Sequence, residues 1–169
     1  MKNIMKSFLK ISIAVFILLI VQSMYSQGKI TPDDLNSITG KWKGTLTYID
    51  YGTNRPFTMP ANLSVVPGKN EYQVKLLITY PKEPNANSKD KIGISKDGLF
   101  VNKNRVASRQ ELDNEKVIIT TEYSGKDNRK NALIRNVYIF GSKRFVIRKE
   151  VKLKASADWL IRNEYNFTR

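Results

Sequence analysis

The chain has 169 residues, with 29 Lys and Arg against 15 Asp and Glu, and it contains neither histidine nor cysteine. That length suits one domain rather than two. The missing residue types exclude Ser–His and Cys–His nucleophilic systems, His- or thiolate-ligated metal and a disulfide framework, so any catalysis would rest on carboxylates, Tyr, Lys or Arg.

The N-terminal segment sets the compartment. Lys2, Lys6 and Lys10 precede an apolar run over residues 11–21, broken only by Ser12, and a more polar stretch follows over residues 22–27. This is the order of a secretory signal. The run falls short of the roughly 20 apolar residues that span a bilayer, which disfavours the competing reading of an uncleaved anchor. With Ser26 as the last signal residue, the expected division is a signal peptide over 1–26 and a mature domain over 27–169. The expected localisation is export, to the periplasm or beyond, with no transmembrane segment after cleavage. No Cys lies near the cleavage region, so a lipid anchor there is excluded. The formal charge is +14, and the three signal lysines take it to +11 for the mature part. Such a chain is drawn to polyanions or acidic headgroups. Its basic residues are interleaved along strands rather than massed in a tract, so no nucleic-acid partner is expected.

The one helix candidate is short. Thr31 is a fair N-cap for residues 32–37, Pro32 suits the first helical position, and Asp33 and Asp34 complement the helix dipole. One such turn would fit over an end of a barrel.

From there the pattern alternates, as strands do. Trp42, Gly44, Leu46 and Tyr48 share a face, with Lys41, Lys43, Thr45 and Thr47 opposite. Met59, Ala61, Leu63 and Val65 repeat the pattern, and Tyr72, Val74, Leu76, Ile78 and Tyr80 extend it over five positions. Ile92 and Ile94 follow, then Leu99 and Val101. After a weaker stretch over 105–112 come Val117, Ile119, Thr121 and Tyr123, then Leu133, Val137 and Ile139. Phe145, Ile147, Val151 and Leu153 precede the last set, Trp159, Ile161, Tyr165 and Phe167. Turn residues separate them at 51–57, 67–70, 113–114, 125–128 and 141–142, and a polar loop is expected over 81–90. Short connections make neighbouring strands antiparallel and sequential. The expected fold is therefore all-β, an up-and-down antiparallel β-barrel of 8–10 strands with one short N-terminal helical turn. Closure removes the edges of such a meander, and a sandwich is the competing solution.

The stretch 35–44 resembles the opening of calycin barrels, the group of lipocalins, avidins and fatty-acid-binding proteins. Gly40-Lys41-Trp42 is similar to their Gly-x-Trp entry into the first strand, and 38–42 is similar to the avidin opening. Gly permits a tight entry and Trp closes the floor as a large apolar plate. The resemblance implies a lipocalin-like domain over 27–169 in which a basic residue from a late strand stacks on Trp42. Arg162, Arg148 and Arg169 are candidates, and Arg162 is the expected partner. Departures include the missing cysteines, too few Trp for an avidin-type site and no Arg-x-Tyr clamp.

If the apolar sets face inward, Arg135, Lys149 and Asn163 face inward with them. An interior Arg and Lys would suit a carboxylate or phosphate head, with Tyr48, Tyr72, Tyr123 and Tyr165 as amphipathic walls. A bulge that shifts register would instead put Arg135 or Lys149 in water. Glu111, Asp113 and Glu115 read as a solvated turn rather than a cation or acid–base site. No metal, cofactor or catalytic residue is expected. The expected function is a non-enzymatic binding protein holding a small hydrophobic or amphipathic molecule in the barrel. The alternative is an envelope-associated module with a filled barrel and a basic outer face for polyanionic glycan or membrane.

Overall fold

The computed structural model describes residues 28–112, 116–154 and 156–169. The expected signal peptide over 1–26, and Asp113 and Glu115 of the acidic turn, lie outside these. Helix α1 (Pro32–Asn36) leads into β1 (Gly40–Ile49), β2 (Pro56–Pro67), β3 (Gln73–Thr79) and β4 (Ser88–Gly93). Then come β5 (Phe100–Val101), β6 (Asn104–Leu112), β7 (Lys116–Asp127), β8 (Lys130–Phe140), β9 (Arg144–Leu153) and β10 (Leu160–Thr168). Each strand pairs with the next except β4 with β5, which are the two ends of the sheet, and β10 returns to pair with β1. The result is ten antiparallel up-and-down strands in a nearly closed barrel.

The seam lies between β4 and β5. A single bridge, Ile94 to Val101, joins them. Asn102 extends it: its Oδ1 accepts from Gly93 N at 2.8 Å and its Nδ2 donates to Lys91 O at 3.1 Å. The β5–β6 turn stops short, because Asn102 and Lys103 take positive φ in a tight hairpin. The first β6–β7 pair is Val106 with Thr121, so β7 beyond Thr121 has no partner on that side. Within the described residues the wall is therefore notched between the upper parts of β4 and β7.

Helix α1 closes one end. Asp34 Oδ2 accepts from Thr31 N at 2.8 Å and Oγ1 at 3.3 Å, which ties the cap, and Arg109 of β6 binds the same carboxylate, Nη2 to Oδ1, at 2.9 Å. Leu35 and Ile38 are fully buried under the barrel. Trp42 donates from Nε1 to Ile38 O at 2.8 Å, so the indole meets its polar need at the floor. Gly40 sits at φ +124, a conformation open to glycine. Gly44 lets β10 approach: a Cβ there would lie 2.1 Å from Asn166 O.

Three readings of the sequence are corrected. The β7–β8 turn is Asn128-Arg129, both at positive φ, and residues 125–127 belong to β7. Residues 88–90 belong to β4 rather than to the preceding loop. The inward set of β8 is Ala132, Ile134, Asn136, Tyr138 and Phe140, not Leu133, Val137 and Ile139. Both faces of β8 carry apolar residues, so alternation alone did not choose between them.

Candidate ligand chamber

Strand register stacks the interior in layers. Nearest the helix, Val117, Phe140, Phe145, Phe167 and Ala61 surround Gly44. Phe145 meets Trp42 edge-on at 5.9 Å and Phe140 at 5.5 Å. This end is filled, with Trp42 2% exposed and Phe140, Phe145 and Phe167 at 1% or less. One step up lies a row of Ile119, Tyr138, Ile147, Tyr165, Leu46 and Met59. The next row is polar: Thr121, Asn136, Lys149, Asn163 and Tyr48 are successive register partners across β7, β8, β9, β10 and β1.

The burial pattern changes at these rows. Leu46, Tyr48, Asn136, Ile147, Lys149, Asn163 and Tyr165 face inward yet are only half-buried. An inward side chain in mid-barrel keeps that exposure only where space lies over it. A cavity of about 390 Å³ occupies this end, lined by Leu46, Tyr48, Ile49, Asp50, Tyr51, Arg162, Asn163 and Tyr165. Tyr165, on its wall, shares a hydroxyl–hydroxyl hydrogen bond of 2.7 Å with Tyr80. Burial, then the Tyr80 contact, raises Tyr165 above the ordinary tyrosine range. Burial, with the charges of Tyr123 and Asp90, pushes Tyr138 up to about 12. These phenols stay neutral at physiological pH and can donate or accept.

A buried charge cluster caps the chamber. Asp127 is 1% exposed at its side chain and meets Arg162 Nη2 at 2.7 Å and Lys149 Nζ at 3.3 Å. Tyr51, reaching across from the β1–β2 loop, donates to Asp127 Oδ1 at 2.7 Å, and its ring lies 4.5 Å from the Arg162 guanidinium. Burial alone would raise the Asp127 carboxyl. The Tyr51 bond and the Arg162 and Lys149 charges outweigh it and hold the group below its ordinary value. One carboxylate thus faces two cations, leaving one positive charge unbalanced. Arg162 Nε and Thr121 Oγ1 are buried without a hydrogen-bond partner among the described residues. Such groups cost free energy unless something meets them.

The sequence-expected residues divide. Lys149, Asn163, Tyr48 and Tyr165 converge here, and Tyr123 faces the same interior beside Ile134. Arg135 does not: it lies on the outer face, bonded to Glu122 at 2.6 Å, 3.5 Å from Glu150 and stacked 3.9 Å over Trp159. Its placement follows from the opposite facing of β8. Tyr72 precedes β3 at the helix end, remote from the chamber. Arg162 is not the partner of Trp42. Because β10 runs antiparallel to β1, the end of β10 reaches Trp42, and Arg169 stacks on it at 4.2 Å. Arg169 also donates to Ser142 O at 2.6 Å, Thr39 O at 2.7 Å and Ser37 O at 3.1 Å.

The sequence reading missed Asp127, Tyr51, Asn136, Thr121 and Tyr80, and it misplaced Arg162. A bulge between Ile161 and Asn163 turns Arg162 inward beside Asn163, where strict alternation would send it outward. The available signal for Asp127 was its parity with Thr121 and Tyr123, once β7 is extended to the Asn128-Arg129 turn.

No protein-family model matches the chain, and no curated protein matches it. Among solved structures it is similar to the one titled "Crystal Structure of Rv2717c from M. tuberculosis", with a TM-score of 0.54 and 9% identity over 81% of this chain and 95% of that one. At that identity the likeness is one of fold: a nearly closed antiparallel β-barrel.

Proposed function

We propose that the chain is an exported, calycin-like barrel that binds one small amphipathic anion in the chamber and does not transform it. The observation that carries this reading is the half-exposed inward row above a filled floor. An apolar body would lie on Leu46, Ile147, Tyr48 and Tyr165. A carboxylate or phosphate head would meet Lys149 and Asn163, balancing the excess charge beside Asp127. The volume of about 390 Å³ suits a small ligand rather than a large cofactor. The calycin-like reading draws support from the Gly40 entry, the floor bond of Trp42 and the Arg169 stack. The export reading draws its support from the pattern over residues 1–26.

Native mass spectrometry of protein purified without detergent tests occupancy, and the expected spectrum holds a co-extracted small molecule. A titration with dodecanoate and dodecanol separates head from body. Lys149→Ala should weaken dodecanoate by about tenfold or more, since a bond to a charged group contributes about 1.5–3 kcal/mol, and leave dodecanol nearly unchanged. Bare polypeptide in the first experiment and no binding of either probe in the second would overturn the reading.

A further inference from the structure

The outer face of β7–β10 mixes acidic and basic residues, with Lys116, Lys126, Arg144 and Lys152 outside any ion pair among the described residues, whereas the charged residues on the outer face of β1–β4 are all basic. On β7–β10, Arg135 and Arg148 are bonded to Glu122, Glu150 and Glu164. On β1–β4 the outward positions include Lys41, Lys43, Lys75, Lys89 and Lys91, all exposed. None of the five enters an ion pair among the described residues. Asp90, between two of them, is in register with buried Leu76 and so belongs to the other face. Lys75 and Lys91 are direct register partners. Like charges opposite one another across an antiparallel pair are destabilising. Around the lysines lie Asn62, Ser64, Thr79 and Thr168 and the half-buried Leu77, which with Lys41 and Lys43 line an outer depression of about 670 Å³.

From this geometry we infer that the outer face of β1–β4 is a binding surface for a linear acidic polysaccharide, sulfated or carboxylated, independent of the chamber. Lysines two residues apart on a strand project about 7 Å from each other, and Lys41 and Lys89 share a register row about 14 Å across. That makes an extended array for a charged chain rather than a pocket for one anion. The hydroxyl and amide groups between the lysines match sugar hydroxyls, and Leu77 offers a small apolar patch for a ring face. A membrane surface fits less well. The large exposed apolar side chains Tyr51, Phe57, Phe100, Leu112, Leu133, Leu160 and Ile161 all lie off this face, so it has nothing to insert.

The test uses the domain from residue 27, with dextran sulfate as probe and phosphatidylglycerol vesicles as the competing surface. Lys41→Gln/Lys43→Gln/Lys75→Gln removes three charges from the face. Lys96→Gln/Lys130→Gln/Lys143→Gln removes three exposed charges from turns and strand ends. The face variant should lose about tenfold or more in dextran sulfate affinity and the control about twofold or less, with neither melting below the parent. Equal losses in the two variants would reduce the effect to net charge and overturn the proposal. Tighter binding to the vesicles than to dextran sulfate, lost in the face variant, would overturn it in favour of a membrane. If the face variant fails to fold, Lys41→Gln and Lys43→Gln singly should each weaken binding, and no effect from either would overturn it.

Discussion

Trp42 gathers the closed end into one unit. Its ring packs on Phe145, its Nε1 bonds the Ile38 carbonyl, and Arg169 covers its outer side while bonding three carbonyls of the segments that meet there. The contributions differ in kind. Trp42→Ala opens a cavity beneath the helix and should cost about 3–5 kcal/mol. Arg169→Ala removes an exposed stack and screened hydrogen bonds, and should cost about 1–2 kcal/mol. Arg162→Ala discriminates the two arginines, because it should leave the environment of Trp42 untouched while unbalancing Asp127. Near-ultraviolet circular dichroism of the indole checks this. A changed Trp signal in Arg162→Ala and an unchanged one in Arg169→Ala would reverse the assignment.

At the scale of elements, the period-two pattern specified most strands and failed where its physical premise failed. β1, β2 and β3 have one apolar face and one polar face, so their orientation follows from the residues. β8 has Ile134 and Tyr138 on one side and Leu133 and Ile139 on the other, and only packing against Ile119 and Ile147 decides. That choice moved Arg135 from interior to surface. The chamber was partly legible for the same reason: Lys149, Asn163, Tyr48 and Tyr165 lie on strands whose parity is plain. Its cap was not, since Arg162 needs a bulge and Tyr51 a loop crossing, neither of which leaves a periodic trace. The cap also sets a pH dependence. The folded carboxyl of Asp127 is held below its unfolded value, so its stabilisation is complete above the ordinary carboxylate range and is lost as pH falls through the folded value. Asp127→Asn leaves Lys149 and Arg162 facing one another unopposed, and should cost about 2–4 kcal/mol at neutral pH. Denaturant melts at pH 7 and pH 3 should show this gap narrowing in acid, as protonation discharges the parent residue too. A gap that is constant with pH would mean that shape rather than charge holds the cap.

At the scale of the whole molecule, two electrostatic arrangements oppose each other. Residues 27–169 carry a formal +11, with five lysines on one wall unpaired among the described residues. Self-repulsion of this kind destabilises the compact state and is screened by salt. The arginine–glutamate ladder on the opposite wall is stabilising, and salt weakens it too. The magnitudes favour repulsion. The ladder groups are partly exposed, so each pair contributes about 0.2–1 kcal/mol. The excess charge acts over the whole surface, and the screening length falls from about 30 Å at 0.01 M to about 8 Å at 0.15 M, inside the span of the lysine array. Raising sodium chloride through that range should therefore raise the melting temperature. Lys75→Gln removes the opposed Lys75–Lys91 pair, so it should raise the low-salt melting temperature and shrink the increment on adding salt. A melting temperature that falls with salt in the parent, or an increment unchanged in Lys75→Gln, would mean that the paired wall governs stability and that the unpaired wall imposes no strain for an anion to relieve.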